Sequence, residues 1–363
     1  MRKVTVPLGD RSYTIHVGTG LLARLGRECS SLSLGNRCAV ITDQNVDRLY
    51  RKRILQSLES AGIRADVISI SPGETAKSLK SVQSCYDRLA AMRLERSSFI
   101  LALGGGVVGD LAGFLAATYL RGIGFVQVPT TLLAQVDSSV GGKVGVNLKA
   151  GKNLVGAFYQ PRLVLCDLDT LDSLPLREHR AGLAEVIKYG IIYDASLFRR
   201  LERDLDKLLT KEKNVLGNVI ARCCAIKSEV VGQDEKEGGL RAILNFGHTI
   251  GHALEAISAY GKHLHGEAIS IGQVAAARLS RDLCGLPHSE ELRVERLFAR
   301  AGLPTGIRLS KSQRGRLFEA MQLDKKVSDG EVKFVLVERI GRVRYGLGVP
   351  SDRIHAVLDS LSA

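Results

Sequence analysis

An apolar strand that runs directly into a glycine-rich turn constrains the fold of this 363-residue chain most strongly. Residues 98–103 read SFILAL, and the run GGGVVGD follows and opens the helical pattern DLAGFLAATYL. A strand with apolar residues on both faces is typical of a parallel sheet covered by helices. Glycines let the backbone approach a phosphate, and the helix N-terminus that follows presents free N–H groups. The segment therefore predicts an α/β sheet with a nucleotide-type loop.

The glycine spacing alone leaves the ligand of this loop open. Gly104, Gly106 and Gly109 fit the G-x-G-x-x-G pattern, and the alternative is a tight strand–helix turn without a ligand. The loop does not follow the first strand, and no acidic residue lies about 20 positions later, as in the usual dinucleotide fold. An earlier strand end, CAVITD, could supply the ribose contact instead through Asp43 and Asn45.

The order of predicted elements divides the chain into an α/β half and a helical half. Up to about residue 175, Val- and Ile-rich runs such as CAVITD and GFVQVPT alternate with helical patterns such as LKSVQSCYDRLAAMRLE. Beyond that point amphipathic helices follow one another, and the remaining strand candidates lie near residues 331–348. We therefore expect an α/β domain with a Rossmann-like parallel sheet over residues 1–177 and a mainly α-helical domain over residues 178–363.

Composition and charge bound the compartment and the partners. Apolar residues make up 45% of the chain, no run approaches about 20 apolar residues, and the start lacks a signal core, so we expect a cytoplasmic protein. The net charge of +13 is spread along the chain without a nucleic-acid module, which favours a small anionic substrate over a nucleic acid or a membrane. The seven cysteines, an odd number, are expected to be reduced and mostly buried.

The segment 128–161 packs polar side chains and glycines into a stretch with little helical or strand periodicity. A long polar loop inside a compact domain usually has a function, and a solvated loop is the alternative. Its lysines and asparagines suit a phosphate or a carboxylate. The polar residues in question are Thr130, Thr131, Asp137, Lys143, Asn147, Lys152 and Asn153.

One glutamate and three histidines of the helical half are candidate metal ligands. Glu185 shares a helix face with Lys188, where a surface ion pair is the alternative. His248 and His252 are four residues apart on another predicted helix, and this spacing alone favours them as the chelating pair. With His265, they could provide two ligands and one proton carrier, or they could be unrelated solvent-facing histidines. A carboxylate with imidazoles suits Zn²⁺ with one position open for substrate.

Donors for an anion flank this region at Lys227, Arg241 and Asn245.

Taken together, the motifs of the chain closely resemble the 3-dehydroquinate synthase family. The matching segments are GGGVVGDLAGF, PTTLLAQVDSSVGGK, AEVIKYG, LNFGHTIGHALE, HGEA and DKK. The resemblance as a whole extends from about residue 40 to residue 340 and so covers nearly the whole chain. The combination is far more specific than any single glycine motif within it.

The resemblance implies the fold, the cofactors and the assembly. It implies a dehydroquinate synthase-like fold, with an N-terminal α/β domain that binds NAD, a helical metal- and substrate-binding domain, and an active site in the cleft between them. It implies one divalent metal ion, zinc or cobalt, held by Glu185, His248 and His265. His252 then becomes a substrate and proton-transfer residue, which overrides the spacing argument. It also implies a homodimer in which Arg121 reaches the substrate phosphate of the neighbouring subunit.

The activity that the resemblance implies is a carbon–oxygen lyase reaction of the shikimate pathway, which leads to chorismate and the aromatic amino acids. The substrate 3-deoxy-D-arabino-heptulosonate 7-phosphate gives 3-dehydroquinate and phosphate. NAD takes a hydride from C5, phosphate leaves by β-elimination with loss of the C6 proton, and the hydride is returned. Ring opening and an intramolecular aldol step then close the carbocycle, with no net redox change.

The resemblance also assigns side chains to each part of the substrate and the cofactor. Lys188 and Asp137 lie near the reacting hydroxyls, and Lys227 and Arg241 lie at the substrate carboxylate. The phosphate side comprises Lys143, Asn153, Asn245, His252 and one lysine of the DKK motif, Lys325 or Lys326. The NAD contacts are Asp43, Asn45, Glu74, Lys77, Gly105, Gly106, Val107, Asp110, Thr130, Thr131 and Lys152.

Three alternative functions stay open on the sequence. Another sugar-phosphate cyclase, such as 2-deoxy-scyllo-inosose synthase, would share the cofactors but not need the carboxylate-binding pair of Lys227 and Arg241. A metal-dependent polyol dehydrogenase would need no phosphate site, and the lysine-rich loops argue against it. An NAD-binding or basic interaction protein without catalysis is the third, and it would bind metal without turnover.

Overall fold

The computed structural model describes residues 1–258, 263–322, 327–328 and 331–361. Both lysines of the DKK motif that were assigned to substrate, Lys325 and Lys326, lie outside the described residues.

The chain divides into two compact units. The first comprises Met1–Leu174 together with Leu216–Gly232, and the second comprises Pro175–Val215 together with Gln233–Ala363. The first unit contains a largely parallel sheet, and the second is mainly helical. This arrangement confirms the predicted fold class.

The first unit contains a seven-stranded sheet and a separate two-stranded hairpin. In chain order its strands are β1 (Arg2–Val6), β2 (Tyr13–Gly18), β3 (Arg37–Asp43), β4 (Arg64–Ile70), β5 (Phe99–Gly104), β6 (Gly124–Pro129), β7 (Lys143–Leu148), β8 (Gly151–Phe158) and β9 (Leu163–Asp167). The large sheet has the order β1-β2-β9-β6-β5-β3-β4, and all its pairs are parallel except β1 with β2. The strands predicted from the runs CAVITD, SFILAL and GFVQVPT are confirmed as β3, β5 and β6.

Helices cover the sheet of the first unit and form most of the second unit. In chain order they are α1 (Leu25–Ser30), α2 (Gln44–Glu59), α3 (Leu79–Ala91), α4 (Gly106–Thr118), α5 (Leu176–Ile192), α6 (Ala195–Leu209), α7 (Lys213–Gln233), α8 (His248–Ile257), α9 (His265–Cys284), α10 (His288–Arg300), α11 (Lys311–Gln322) and α12 (Ser351–Ser360). None of the described helices is both long enough and apolar enough to cross a membrane.

Strand β5 shows why the first unit needs helices on both faces of its sheet. All six of its residues are buried, and the first five, Phe99 to Leu103, alternate between two apolar clusters. Leu101 and Leu103 pack into the cluster that contains Leu58 of α2, whereas Ile100 packs into the cluster that contains Leu111 of α4. The period-2 geometry of a strand produces this division, as expected for a parallel sheet buried on both sides.

Two helices begin directly after an aspartate that caps their first turn. Asp43 at the end of β3 accepts hydrogen bonds from the amides of Asn45 (2.9 Å) and Val46 (3.2 Å) and so caps α2. Asp194 caps α6 in the same way through the amides of Ser196 (2.9 Å) and Leu197 (3.0 Å). Each carboxylate satisfies helix N–H groups that have no partner within the helix.

The expectation of an irregular loop over residues 128–161 was wrong for residues 143–158. This part forms the antiparallel hairpin of β7 and β8, in which Gly145 pairs with Gly156. A Cβ on Gly145 would lie 2.6 Å from the carbonyl oxygen of Val155, so the two backbones pack too closely for side chains. A strand is predicted from alternating apolar and polar residues, and the glycines at the paired positions interrupt that alternation.

The second unit contains the predicted strand pair near residues 331–348. In chain order its strands are β10 (Val327–Ser328), β11 (Glu331–Arg339) and β12 (Arg342–Gly348), and they form an antiparallel sheet. Helix α5 is buried over almost its whole length from His179 onward, including its charged residues Glu185 and Lys188. A helix buried on all sides lies at the centre of its unit, and charged residues there need partners.

We predicted a single domain boundary at residue 177, and the two units of the structure depart from this prediction mainly in one segment. The first unit ends at Leu174, but it also takes up Leu216–Gly232 of α7. This segment packs directly on the sheet unit, where a Cβ on Gly217 would lie 3.0 Å from the side chain of Leu168. The sequence pattern of α7 is that of any amphipathic helix, so it does not indicate to which unit the helix belongs.

Candidate active site

Three loops of the first unit meet at the carboxyl edge of its sheet. Neighbouring strands β3, β5 and β6 end at Asp43, Gly104 and Pro129. The chain leaves β3 toward β4 on one side, while β5 lies on the other side, so the strand order reverses between β3 and β5. In open α/β sheets, ligands bind at the carboxyl ends of the strands at such a reversal.

The glycine loop follows β5 at this edge and leaves no space for side chains. A Cβ on Gly105 would lie 3.1 Å from Cγ2 of Thr131, and a Cβ on Gly106 would lie 2.9 Å from Oγ of Ser138. The amide of Thr130 donates to the carbonyl of Gly104 (3.0 Å), which ties the two loops together. Gly105 precedes α4 without a side-chain cap, so the first-turn N–H groups of α4 suit an anionic group such as a pyrophosphate.

Lys77 is the centre of a polar cluster next to the glycine loop. Its ammonium donates to Oδ2 of Asp110 (2.6 Å) and to Oδ1 of Asn153 (2.5 Å), and it lies 3.8 Å from Oε1 of Glu74. Lys77 is only 4% exposed, so these partners are its main environment. Burial raises the pKa of the Asp110 carboxyl, and the Lys77 ammonium opposes that rise. The structure thus brings together Glu74, Lys77, Asp110 and Asn153.

Asn147, one of the polar residues of segment 128–161, completes this cluster through contacts with protein side chains and backbone. Its side-chain amide donates to Oε1 of Glu74 (2.8 Å), and its Oδ1 accepts from the backbone amide of Asn153 (2.9 Å). Asn153 has a φ of +54°, a conformation that asparagine tolerates better than most residues. Asn147 therefore holds the β7–β8 turn against Glu74, and only its three-dimensional contacts reveal this role.

We expect Lys77→Met to lower the free energy of unfolding by about 2–4 kcal/mol, because it leaves the Asp110 carboxylate without its cation. Urea denaturation of the purified variant measures the loss. The variant Lys77→Met/Asp110→Asn should recover most of the stability, since neither charge then remains unpaired. Equal stability of Lys77→Met and the unmodified protein would contradict the assignment of Lys77 as the counter-charge of Asp110.

Asp137 and Lys227 form a second polar pair in the first unit. The Lys227 ammonium donates to the backbone carbonyl (2.7 Å) and to Oδ1 (2.8 Å) of Asp137. Asp137 lies in a short π-helical turn, Ala134–Ser138, that Gln135 anchors from within. The fully buried Gln135 amide donates to the carbonyls of Pro129 (3.1 Å) and Asp167 (3.1 Å). The ends of β6 and β9 thereby fix the turn that presents Asp137.

The carboxylate of Glu185 lies at the meeting point of three helices in the second unit. Glu185 belongs to α5, while His248 is the first residue of α8 and His265 is the first residue of α9. Oε1 of Glu185 lies 3.6 Å from Nε2 of His248 and 3.7 Å from Nε2 of His265. One ligand atom from each of the three residues falls within 4.8 Å of the others, so the group could hold a metal ion.

The environment of these three side chains fits a divalent metal. Glu185 is fully buried, and among the described residues neither of its oxygens makes a hydrogen bond, although Oε2 contacts the ammonium of Lys188. Nδ1 of His248 faces the carbonyl of Phe246 (3.1 Å), and Nδ1 of His265 faces Oε2 of Glu255 (3.2 Å). Such outer partners fix the ring orientation of metal-ligating histidines and leave Nε2 as the ligand atom.

Charge at this cluster also favours a cation. Burial lowers the pKa of His265, but its contacts with the carboxylates of Glu185 and Glu255 outweigh burial and raise the pKa to about 10. The ammonium of Lys188 contacts Oε2 of Glu185 and supplies one counter-charge. The Glu185–Lys188 pair is buried, so the alternative of a solvated surface ion pair was wrong. Glu255 was not assigned from the sequence, and its contact with His265 identifies it.

His252 lies beside the three candidate ligands and is exposed. Its ring centroid is 5.0 Å from that of His248 and 6.1 Å from that of His265. Among the described residues, His252 groups as a possible ligand with Glu255 and His265 but not with His248. The chelating pair that spacing alone favoured, His248 with His252, is therefore not the arrangement seen.

Glycines allow the helices that carry these ligands to pack at backbone distance. A Cβ on Gly266 would lie 2.7 Å from Cα of Ala181 in α5 and would overlap its carbonyl oxygen. A Cβ on Gly272 would overlap the carbonyl oxygen of Gly247, just before His248. The side-chain amide of Gln273 also donates to the carbonyl of Ala184 (3.1 Å). Close helix packing thus sets the spacing of the three ligands.

The remaining candidate residues have individual placements within their own units. In the second unit, the guanidinium of Arg241 donates to the carbonyl of Glu235, and Asn245 donates to Oε1 of Glu237 (3.0 Å). In the first unit, Lys143 begins β7, and Lys152 is half-buried on β8. Arg121 is exposed and has a φ of +67°.

Structural comparison gives the class of protein. The chain superposes on 2-deoxy-scyllo-inosose synthase in complex with carbaglucose-6-phosphate, NAD⁺ and Co²⁺, with a TM-score of 0.90 and 27% identity over 99% of this chain and 100% of that one. It also matches the 2-epi-5-epi-valiolone synthase ValA of Streptomyces hygroscopicus, solved with NAD⁺ and Zn²⁺, with a TM-score of 0.87 and 29% identity over 96% of each chain. The chain has the fold of the dehydroquinate synthase-like cyclases.

Sequence comparison gives the family. Residues 67–181 match the model of the 3-dehydroquinate synthase N-terminal domain, and residues 182–327 match that of its C-terminal domain. The 3-dehydroquinate synthase of Desulforamulus reducens is 47% identical over 99% of both chains, and that of Pelobacter propionicus is 50% identical over 94% of both. The chain belongs to the 3-dehydroquinate synthase family.

Proposed function

We propose that the chain converts 3-deoxy-D-arabino-heptulosonate 7-phosphate to 3-dehydroquinate and phosphate, using NAD and one divalent metal ion. The buried cluster at Glu185 carries the proposal. A carboxylate that faces two imidazoles, whose outer nitrogens are fixed by Phe246 and Glu255, is the arrangement expected of a metal centre. Family membership over nearly the whole chain supplies the substrate.

The metal and NAD have separate binding residues in this proposal. Glu185, His248 and His265 would hold zinc or cobalt, and the carboxyl edge of the sheet in the N-terminal domain, residues 1–177, would hold NAD. Two solved relatives contain NAD⁺ with Co²⁺ or Zn²⁺. The metal supplies a Lewis acid for the C4 and C5 hydroxyls, and NAD supplies a hydride acceptor that is regenerated within each cycle.

We propose that NAD binds at this edge through the residues that the resemblance to the family assigns, and the geometry of the edge supports this assignment. The N-terminus of α4 and the glycine loop suit the pyrophosphate, and the Asp43–Asn45 turn suits a ribose. Lys77 holds Glu74 and Asp110 in position beside the loop, so the cluster acts as one unit. The full set is Asp43, Asn45, Glu74, Lys77, Gly105, Gly106, Val107, Asp110, Thr130, Thr131 and Lys152.

Charged side chains of this chain would bind the two ends of the substrate. Lys227 and Arg241 bind the carboxylate, while Lys188 and Asp137 contact the reacting hydroxyls. The phosphate is bound by Lys143, Asn153, Asn245, His252 and either Lys325 or Lys326. Since the Oδ1 of Asn153 accepts from Lys77, the side-chain N–H groups of Asn153 remain as donors for the phosphate.

Positioning accounts for much of the chemistry in this scheme. The donors fix the phosphate dianion beside C6, and the phosphate itself takes the C6 proton as it leaves. Residues 178–363 thus act as the metal- and substrate-binding domain, and their preorganised charges stabilise the developing negative charge. We further propose a cytoplasmic homodimer of the shikimate pathway in which Arg121 contacts the phosphate bound by the second copy.

We expect Arg241→Gln and Lys227→Met each to lower kcat/KM for the heptulosonate by about 10- to 100-fold, because each removes a charge-assisted hydrogen bond to the carboxylate. Steady-state phosphate release measures the loss. Toward an analogue whose carboxylate is replaced by a hydroxymethyl group, both variants and the unmodified enzyme should be similarly slow. An unchanged kcat/KM for the heptulosonate would contradict the carboxylate assignment.

Identification of the product tests the proposed function against its nearest alternative. The enzyme is incubated in parallel with the heptulosonate and with glucose 6-phosphate, and the products are identified by NMR spectroscopy. The proposal predicts 3-dehydroquinate from the first substrate and no carbocycle from the second. A carbocycle formed only from glucose 6-phosphate would identify another sugar-phosphate cyclase.

A further inference from the structure

An arginine-lined groove opens at the amino edge of the sheet in the first unit. Its volume is about 590 Å³, and it is bounded by the starts of β3 and β4 and by the end of α3. Arg37 begins β3 and lies far from Asp43, which ends the same strand at the glycine-loop edge. Six residue steps of about 3.3 Å separate the two edges by about 20 Å. The groove is therefore distinct from the candidate active site. Its lining residues are Arg37, Arg64, Asp66, Arg88, Ala91, Met92 and Arg93.

Four guanidinium groups and a single carboxylate give this groove a large positive charge. Arg37 and Arg64 are direct neighbours in the register of β3 and β4, an arrangement in which like charges are unfavourable. The described residues place no acidic side chain in an ion pair with Arg64 or Arg93. Neighbouring arginines that have no acidic partner leave a positive charge that suits an anionic ligand.

Two of these guanidiniums are held in place by backbone carbonyls. Arg37 donates to the carbonyls of Met92 (2.7 Å) and Arg93 (3.3 Å), and Arg88 donates to the carbonyl of Val67 (2.9 Å). Carbonyl oxygens orient a guanidinium but leave its charge intact, and each guanidinium has further N–H groups for a ligand. Fixed donors lose little conformational freedom when a ligand binds.

Arg93 occupies a position that favours glycine. It follows the last turn of α3 with a φ of +53°, where a glycine would adopt the left-handed conformation at no cost. For a residue with a side chain, this conformation costs roughly 1 kcal/mol. Arg93 is exposed at this position and is one of the residues that line the groove.

We propose that this groove binds a phosphate-rich small molecule of about the size of a nucleotide. The volume lies within the range of about 300–1,000 Å³ typical of small-molecule sites. Arginines from three elements line it, and their guanidiniums match the several oxygens of a polyphosphate, while Ala91 and Met92 add an apolar surface for an uncharged moiety. The site is independent of the proposed catalytic function.

Titration with ADP tests the proposal on the full-length protein. The protein is first saturated with NAD, so that ADP cannot bind at the cofactor site. Calorimetry in about 0.15 M salt keeps screening near physiological strength. We expect ADP to bind once per chain, adenosine not to bind, and Arg64→Gln/Arg93→Gln to weaken ADP binding by about a hundredfold, a factor of about ten for each lost guanidinium.

Arg27→Gln is the matched control, because Arg27 is another exposed arginine of the first unit that does not line the groove. It should bind ADP as the unmodified protein does, and kcat/KM for phosphate release should be unchanged in all variants. Equal ADP affinity in the double variant and in Arg27→Gln would overturn the proposal. A groove that holds a short oligoribonucleotide but not ADP would be a nucleic-acid surface, which would also overturn it.

Discussion

His248→Ala is expected to lose bound metal and activity together, whereas His252→Ala keeps the metal. The Nε2 of His248 faces the carboxylate of Glu185, and its Nδ1 is oriented by the carbonyl of Phe246. Loss of a residue that only orients a metal ligand weakens metal binding by up to about a hundredfold. Since His248 is itself a ligand in this assignment, its removal should weaken metal binding by more than that. His252 is exposed and groups with neither Glu185 nor His248.

Metal content per chain, measured by mass spectrometry after gel filtration, decides between the two histidines. His252→Ala should retain one metal ion and still lose much of its activity, because it acts on the substrate in the proposed scheme. Loss of the metal from His252→Ala with retention in His248→Ala would reverse the ligand assignment. It would identify His252, Glu255 and His265 as the metal group instead.

Gly266→Ala is expected to lower the Tm by about 5–10 °C and to reduce activity by about a hundredfold. The added Cβ would overlap the carbonyl of Ala181, a backbone atom of α5 that cannot rotate away. The resulting shift of α9 against α5 moves His265 relative to Glu185, which lies one turn beyond Ala181. Overpacking of this kind typically costs about 1–3 kcal/mol before the loss of metal is added.

Gly315→Ala provides the matched control for this substitution. Gly315 lies in α11 of the same unit, and a Cβ there would meet nothing within 4 Å. Alanine should therefore stabilise α11 by up to about 1 kcal/mol, since glycine is the weaker helix former. Differential scanning calorimetry of both variants gives the comparison. A Gly266→Ala protein as stable and active as Gly315→Ala would show that the α5–α9 distance does not matter.

The sequence predicted the sheet well because its strands are buried on both faces. The continuous apolar run of β5 and its neighbours identifies them without further information. The hairpin of β7 and β8 escaped prediction, since glycines at the paired positions Gly145 and Gly156 remove the alternation of side chains. The middle of α7 belongs to the first unit because it packs there, and the local sequence pattern of a helix does not indicate which unit the helix will pack against.

For the candidate site, local spacing predicted the Glu185–Lys188 pair but not the grouping of residues from different helices. The pair Glu185–Lys188 follows from one helical turn. The grouping of His248 with His265 depends instead on the close approach of α5, α8 and α9, which Gly266 and Gly272 permit. Only the resemblance to a family, and then the structure, placed His248 with Glu185 and not with His252.

The most direct test of the proposed function is the number of phosphates released per NAD. The enzyme is mixed with the heptulosonate and sub-stoichiometric NAD, with and without EDTA, and free phosphate is followed. We predict many phosphates per NAD, loss of release on chelation, and recovery when Zn²⁺ or Co²⁺ is added. No release of phosphate by a protein that holds both metal and NAD would contradict the proposed function.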